Sequence, residues 1–482
     1  MTASPKIQPN PGAASAALMV NPNVAALPAY NAGMSLARAR LLSGHDDLAR
    51  LASNENPDGC APAVLAALAN GGFEPWRYAD PACTALREAL AARLGVDAGV
   101  IVAGNGSEEM IAAISRGVLV AGSQVVTVVP SFGLHEIEPL AAGASVLKVP
   151  MTVDAGFDLA ALEAAIAAGP RVVFLSSPWN PVGPALDKSA LQRLIAAVRP
   201  GTLFVLDEAY FEYADADAPD GIESLRNSGI AFVVLRTFSK AYGLAGLRVG
   251  YAVCSDPEIA RVITAAKTPF NVNGAAQIAA VAALEDEAWM KASVARIRSE
   301  RGRVALALVA MGLKTAPSQT NFLFFDTGRD SSTVAAALLQ DGIIVKPWRE
   351  AGYETWLRAT IGKPADNDRL IAALVHAFIK QKVDRVNTRC YQNSVRLDSG
   401  RQQPKLPDAD ACVTDDRILS TGQIYPQNRG GTARRAHPQG RDGKRFGRVH
   451  AIGDVLDLCP ASGSNDTRNV ENIRPCRYQR HI

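Results

Sequence analysis

Ala231-Phe232-Val233-Val234-Leu235-Arg236 leads without a break into Thr237-Phe238-Ser239-Lys240-Ala241-Tyr242-Gly243-Leu244-Ala245-Gly246-Leu247-Arg248. The first six residues form a short, nearly continuous apolar run, the pattern of a strand buried on both faces of a sheet. The next twelve set a lysine among apolar residues and glycines, with a hydroxyl beside it and an arginine eight residues on. A lysine becomes a nucleophile only when burial destabilises its ammonium, and this neighbourhood supplies that condition. Ser239 and Arg248 are candidates to hold a phosphate. Taken alone, however, a Ser-Lys pair after a strand is better explained by a surface lysine.

Working outward, the strand signature recurs at Val100–Gly104, Gln124–Val129, Ser145–Pro150, Arg171–Ser176, Thr202–Asp207 and Val249–Cys254. Between these runs, stretches such as Ser107–Val120 and Ser189–Val198 carry apolar residues at three- and four-residue spacing, which predicts helices. The alternation predicts an α/β domain over residues 59–285, built on a seven-stranded, mostly parallel sheet. A long helix is expected over 286–312. Strands at Asn321–Asp326, Gly342–Val345 and Leu357–Gly362 and a closing helix at Asp368–Lys380 complete a smaller α+β domain over 286–382. Residues 1–58, rich in Pro, Asn and Ala, read as an extended arm.

The tail over 383–482 differs in character: it is polar, aperiodic and poor in apolar residues, so disorder is the expectation. It carries 17 Lys and Arg against 11 Asp and Glu, which leaves 33 against 36 in the rest of the chain. The net charge of +3 therefore conceals a mildly acidic body, and neither nucleic acid nor a membrane surface is an expected partner. With 48% hydrophobic and 20% charged residues, the composition is that of a soluble globular protein. It lacks both an 18-residue apolar run and a signal-peptide pattern. Cys60, Cys83 and Cys254 are scattered without metal or redox spacing, which fits the cytoplasm and no metal site.

Partners for Lys240 lie at the ends of other strand runs. Leu206-Asp207-Glu208-Ala209-Tyr210 puts an acid where it could meet a protonated pyridine nitrogen, with Tyr210 and Asn180 of Ser177-Pro178-Trp179-Asn180-Pro181 as hydrogen-bond donors. Gly104-Asn105-Gly106-Ser107-Glu108-Glu109 joins a strand to a helix start, whose free N–H groups suit a phosphate. Phe132 in Pro130-Ser131-Phe132-Gly133 offers a ring for stacking. Each piece alone reads as a turn, a cap or core. Together they occur in the order one active site needs, at strand ends that converge in open α/β sheets.

These residues resemble the fold-type I pyridoxal 5'-phosphate (PLP) enzymes, the aspartate aminotransferase superfamily. Ala26-Leu27-Pro28-Ala29-Tyr30-Asn31-Ala32-Gly33, Asn54-Glu55-Asn56-Pro57-Asp58-Gly59, Arg77-Tyr78, Pro317-Ser318-Gln319-Thr320-Asn321-Phe322 and Leu357-Arg358-Ala359-Thr360-Ile361-Gly362 narrow the likeness to histidinol-phosphate aminotransferases. The resemblance runs from about residue 22 to 380. It implies the PLP-dependent transferase fold and a cytoplasmic homodimer with shared sites, exchanging an amino group between L-histidinol phosphate and 2-oxoglutarate in histidine biosynthesis. Lys240 would be the Schiff-base lysine and proton carrier, Asp207 the pyridine partner, and Asn180 and Tyr210 the O3' donors. Ser239, Arg248 and the backbone of Ser107 and Glu108 would hold the cofactor phosphate, with Phe132 stacking where the family usually has Tyr. Tyr78 would reach the neighbouring subunit's phosphate. Tyr30, Asn56, Lys346 and Arg358 would bind substrate, with Lys346 standing where many relatives have Arg. The alternatives are an aromatic amino acid aminotransferase, a PLP-dependent phospho-amino-acid decarboxylase and a non-enzymatic regulator. The last lacks the helix-turn-helix it would need.

Overall fold

A computed structural model describes residues 20–28 and 33–378. Its strands, in chain order, are β1 (Ala49–Arg50), β2 (Ile101–Gly104), β3 (Gln124–Val129), β4 (Ser145–Pro150), β5 (Val172–Ser176), β6 (Leu203–Asp207), β7 (Ala231–Thr237), β8 (Gly250–Cys254), β9 (Lys314–Thr315), β10 (Phe322–Asp326), β11 (Ile343–Ile344), β12 (Lys346–Pro347) and β13 (Trp356–Thr360). Seven of them form one sheet in the order β2-β8-β7-β6-β5-β3-β4, parallel except for β8. All seven expected runs are its strands.

The continuous hydrophobicity of these runs has a direct cause. In β5, Val173 and Leu175 pack into one core while Val172 and Phe174 pack into another on the opposite face. Likewise, in β6, Phe204 and Leu206 go one way, Leu203 and Val205 the other. Successive side chains leave a strand on opposite faces, so a sheet covered on both sides needs apolar residues throughout. Helices at Gly106–Val118 and Lys188–Ala197 lie within two residues of their expected bounds.

The C-terminal part is a four-stranded antiparallel sheet, β12-β13-β10-β9, beside the long helix Glu287–Ala310. That helix starts where Asp286 accepts from Trp289 N at 3.2 Å. The strand expected at Gly342–Val345 is instead divided. β11 pairs in parallel with β1, whereas β12 joins β13, so a single apolar run serves two sheets. Residues 364–378 are helical.

The segment before Gly59 is more than an extended arm. It forms helices Pro22–Ala25 and Leu36–Ser43, and its β1 is stitched to the C-terminal part: Leu51 O accepts from Thr360 N at 2.8 Å, with Ala49 and Leu51 buried. A two-residue strand has no periodicity to detect, because its partner lies almost 300 residues away. Tyr30, the end of the Asp368–Lys380 helix and the tail over 383–482 lie outside the described residues. No helix among the described residues is long and apolar enough to cross a membrane.

Candidate active site

The C-terminal ends of β3, β5, β6 and β7 border a cleft of about 930 Å3. Into it come Ser107, Glu108, Phe132, Asn180, Asp207, Tyr210, Ser239, Lys240 and Arg248 from the large sheet and its helices, and Lys346 and Arg358 from β12 and β13. Parallel strands ending side by side on one edge make such a crevice, which is why distant sequence motifs converge.

Lys240 follows the end of β7, and its Nζ donates to Ser53 O at 3.3 Å and lies 5.9 Å from the centre of the Tyr210 ring. Burial, and then the Arg358 and Arg248 guanidinium groups, push its ammonium down to about 8. A lysine in this state carries a useful fraction of free amine near neutral pH. The turn after it is tight: Gly243 has φ +72°, and a Cβ there would overlap the Gly59 carbonyl.

One end of the cleft gathers groups that could hold an anion. Helix Gly106–Val118 starts with no side-chain cap from Asn105, so its first N–H groups remain available for an anion. Arg248, in the left-handed region at φ +60°, brings its Nη2 to Glu108 Oε2 at 2.8 Å, with Nη1 on Ala245 O at 3.2 Å. Ser239 Oγ accepts from Thr237 Oγ1 at 3.1 Å. Gly106 has φ +77°, and a Cβ on it would stand 2.6 Å from Arg248 Nη2. Gly106→Ala is therefore expected to displace the guanidinium and weaken anion binding by about tenfold or more. Titration of the cofactor-free protein with inorganic phosphate, read by calorimetry, checks this.

At the centre, Asp207 Oδ1 accepts from Ala209 N at 3.0 Å, and Oδ2 lies 3.3 Å from His135 Nε2 without the alignment of a hydrogen bond. His135 is fully buried and stacks on Phe174 at 5.4 Å, with the Phe132 ring edge-on at 5.7 Å. Opposite, Arg358 donates to Asn180 Oδ1 at 2.6 Å and to Ala52 O at 2.7 Å, its guanidinium 5.9 Å from the Trp348 ring. Lys346, in register with Arg358 across β12 and β13, is pushed down to about 8 by burial and by that guanidinium.

Two expected site residues lie outside the cleft lining, and of these Tyr78 was expected to serve the neighbouring subunit rather than its own. Asn56 is absent from the cleft lining; its amide nitrogen donates to Ala241 O and Ser293 Oγ, both at 3.0 Å, bracing the Lys240 loop from behind. Asn54 takes the cleft position instead. At φ +57° it turns the chain, and its Nδ2 donates to Tyr210 Oη at 2.8 Å. Tyr78 is 83% exposed and stacks on Phe270 at 4.5 Å, away from the cleft of its own chain. Sequence reasoning also missed His135. The only signal was a histidine three residues after Phe132, on the face of the next helix turn.

The family model described as aminotransferase class I and II matches residues 46–374. Histidinol-phosphate aminotransferase 3 of Rhizobium meliloti is 46% identical over 346 residues, 72% of this chain and 94% of that protein. Histidinol-phosphate aminotransferase 1 of Mesorhizobium japonicum is 43% identical, covering 74% and 97%. The crystal structure of histidinol-phosphate aminotransferase from Sinorhizobium meliloti in complex with pyridoxal-5'-phosphate superposes with a TM-score of 0.69 at 33% identity. That match covers 75% of this chain and 97% of the other. The family match over most of the chain, with relatives at 43–46% identity across nearly their whole length, makes the chain a member of the class I and II aminotransferases, in the histidinol-phosphate aminotransferase family.

Proposed function

We propose that the cleft holds PLP at Lys240 and moves the amino group of L-histidinol phosphate to 2-oxoglutarate, giving imidazole acetol phosphate and L-glutamate. One observation carries the substrate reading: the lowered-pKa amine of Lys240 shares the cleft with Lys346 and Arg358, which face each other across β12 and β13, in addition to Arg248 and Arg349 in its lining. A substrate presenting an amine at one end and a dianion at the other matches that spacing of functions. The names of the relatives support the same substrate.

The residues fit PLP. Its phosphate suits the cradle that Gly106 leaves open, between Ser107 and Glu108 N–H groups, Ser239 and Arg248. Asp207 answers a protonated pyridine nitrogen, and Phe132 offers a ring face. Asn180, whose Oδ1 is taken by Arg358, has its N–H2 left to donate to O3' beside Tyr210. When bound, the cofactor supplies an aldehyde carbon for amine exchange and a ring that withdraws electrons from the substrate Cα. Lys240 Nζ is the base placed to take the proton from that Cα. Arg358, oriented by Asn180 and Ala52, grips the carboxylate of the oxo acid.

Exposed Tyr78 and Phe270, stacked on each other outside the cleft, support a homodimer in which Tyr78 serves the partner's phosphate cradle. Trp348 in the cleft wall favours an aromatic amino acid as the second reading. A substrate panel of histidinol phosphate, phenylalanine and phosphothreonine separates the readings, decarboxylation included. If the cationic wall reads phosphate, Lys346→Ala raises KM for histidinol phosphate about 10- to 150-fold more than for phenylalanine. Equal losses on both substrates would favour the aromatic reading. The lowered pKa also sets a pH window: Lys346 is charged below about 8, so KM for histidinol phosphate rises as pH passes through that value.

A further inference from the structure

Among the described residues five carboxylates line the cleft, and three of them are paired with a lysine or arginine. Glu55 pairs with Arg50 at 2.9 Å, Glu108 with Arg248 at 2.8 Å, and Glu136 with Lys148. Asp207 lies 3.3 Å from His135 and, on the proposed reading, would meet the pyridine nitrogen. The fifth, Glu350, has no lysine or arginine nitrogen within 4.0 Å among the described residues. It is held by two N–H groups that both donate to Oε2: Ser131 N at 3.3 Å and Trp348 Nε1 at 2.5 Å. Oε1 accepts from neither. This fixes the carboxylate between the Phe132 loop and Trp348, beside the cationic wall where a substrate side chain would lie.

An acid with no salt-bridge partner is out of place in a pocket that only reads a dianion, since like charges there cost affinity. It is equally out of place in a pocket for a plain hydrocarbon ring, which would strip water from it and return nothing. A ring with N–H donors resolves both objections. Imidazole has one N–H when neutral and two when protonated, and a carboxylate is an acceptor with geometry to match. We infer that Glu350 is a specificity-determining residue, whose Oε1 accepts an N–H of the substrate's heteroaromatic ring while its Oε2 stays anchored on Ser131 and Trp348. Burial raises the Glu350 carboxyl above its ordinary value, while the Trp348 and Ser131 N–H groups pull the other way.

The inference rests on the histidinol phosphate reading for the phosphate end, and the experiment separates the two. The holoenzyme is assayed with L-histidinol phosphate and L-phenylalaninol phosphate, which share amine and phosphate and differ only in the ring. A second pair, L-histidine and L-phenylalanine, lacks the phosphate. Glu350→Leu should shrink the imidazole-over-phenyl ratio of kcat/KM about 10- to 100-fold. Glu350→Gln keeps an oxygen for Ser131 and Trp348 but points N–H2 at the ring, so the ratio falls here too, by about fivefold or more. A purely structural clamp would depress both rings in parallel, with Glu350→Gln close to the parent, and that result overturns the inference. So does an intact enzyme that prefers phenyl within both pairs. If neither phosphate ester reacts, yet histidine outpaces phenylalanine in a Glu350-dependent way, the phosphate reading falls and the ring contact stands.

Discussion

Lys240→Ala is expected to lower turnover by about ten-thousandfold or more, because on the proposed reading one side chain would supply both the amine that holds the cofactor and the base that moves the Cα proton. The fold should survive. Lys240 makes one hydrogen bond, to Ser53 O, among the bonds described, and the core around it is built by Phe238, Ala241 and Leu244. Circular dichroism and sedimentation check that, while single-turnover kinetics check the loss. In the parent enzyme, borohydride reduction followed by peptide mapping should find the cofactor on the Lys240 peptide, and label on another lysine would sink the assignment. The pH profile gives a second reading. Burial and two guanidinium groups lower the Lys240 pKa to about 8, so the neutral amine is the minor form below that pH and the major form above it. Capture of PLP by the cofactor-free protein should therefore accelerate with pH and level off just above 8. A plateau deferred to the ordinary lysine range near 10.4 would mean that the amine is not desolvated.

The same arithmetic explains which parts of the molecule were readable beforehand. The central strands of the large sheet were legible because burial on both faces forces a nearly continuous apolar run, as over 172–175 and 203–206; the edge strand β4, largely exposed, was legible by its β-branched residues. Asp207, Ser239 and Lys240 were legible because a polar residue closing such a run must face something other than core. β1 was not, since two residues carry no period and its partner β11 is set by tertiary packing. The division of 342–347 between two sheets is hidden for the same reason. In the site, the exchange of Asn54 for Asn56 turns on a single left-handed backbone angle in a stretch where both residues have the same chemistry. His135 and Glu350 stand on no motif. Their places are fixed by contacts between distant segments, to Asp207 in one case and to Ser131 in the other.

His135 also shapes the last large effect expected, at Asp207. This carboxylate closes the central strand β6, its side chain is 7% exposed, and among the described residues no lysine or arginine nitrogen lies within 4.0 Å of it. A buried charge of this kind is costly until a cation arrives. On the proposed reading the protonated pyridine nitrogen of PLP would be that cation, and holding the proton there would keep the ring electron-withdrawing. Asp207→Asn preserves shape and leaves an oxygen for Ala209 N but removes the charge. It should lower kcat about a thousandfold, at the upper end for losing one preorganised electrostatic partner. His135→Phe keeps the stack on Phe174 and removes the ring nitrogen 3.3 Å from Oδ2, so it should cost about tenfold by loosening the orientation of the carboxylate. Because His135 is argued to act through Asp207, the two losses should not multiply: in the Asp207→Asn background, His135→Phe should change kcat by about twofold or less. Full multiplication in the double variant would mean that His135 acts independently, through packing. An Asp207→Asn enzyme within a few-fold of the parent would remove Asp207 from the pyridine position altogether.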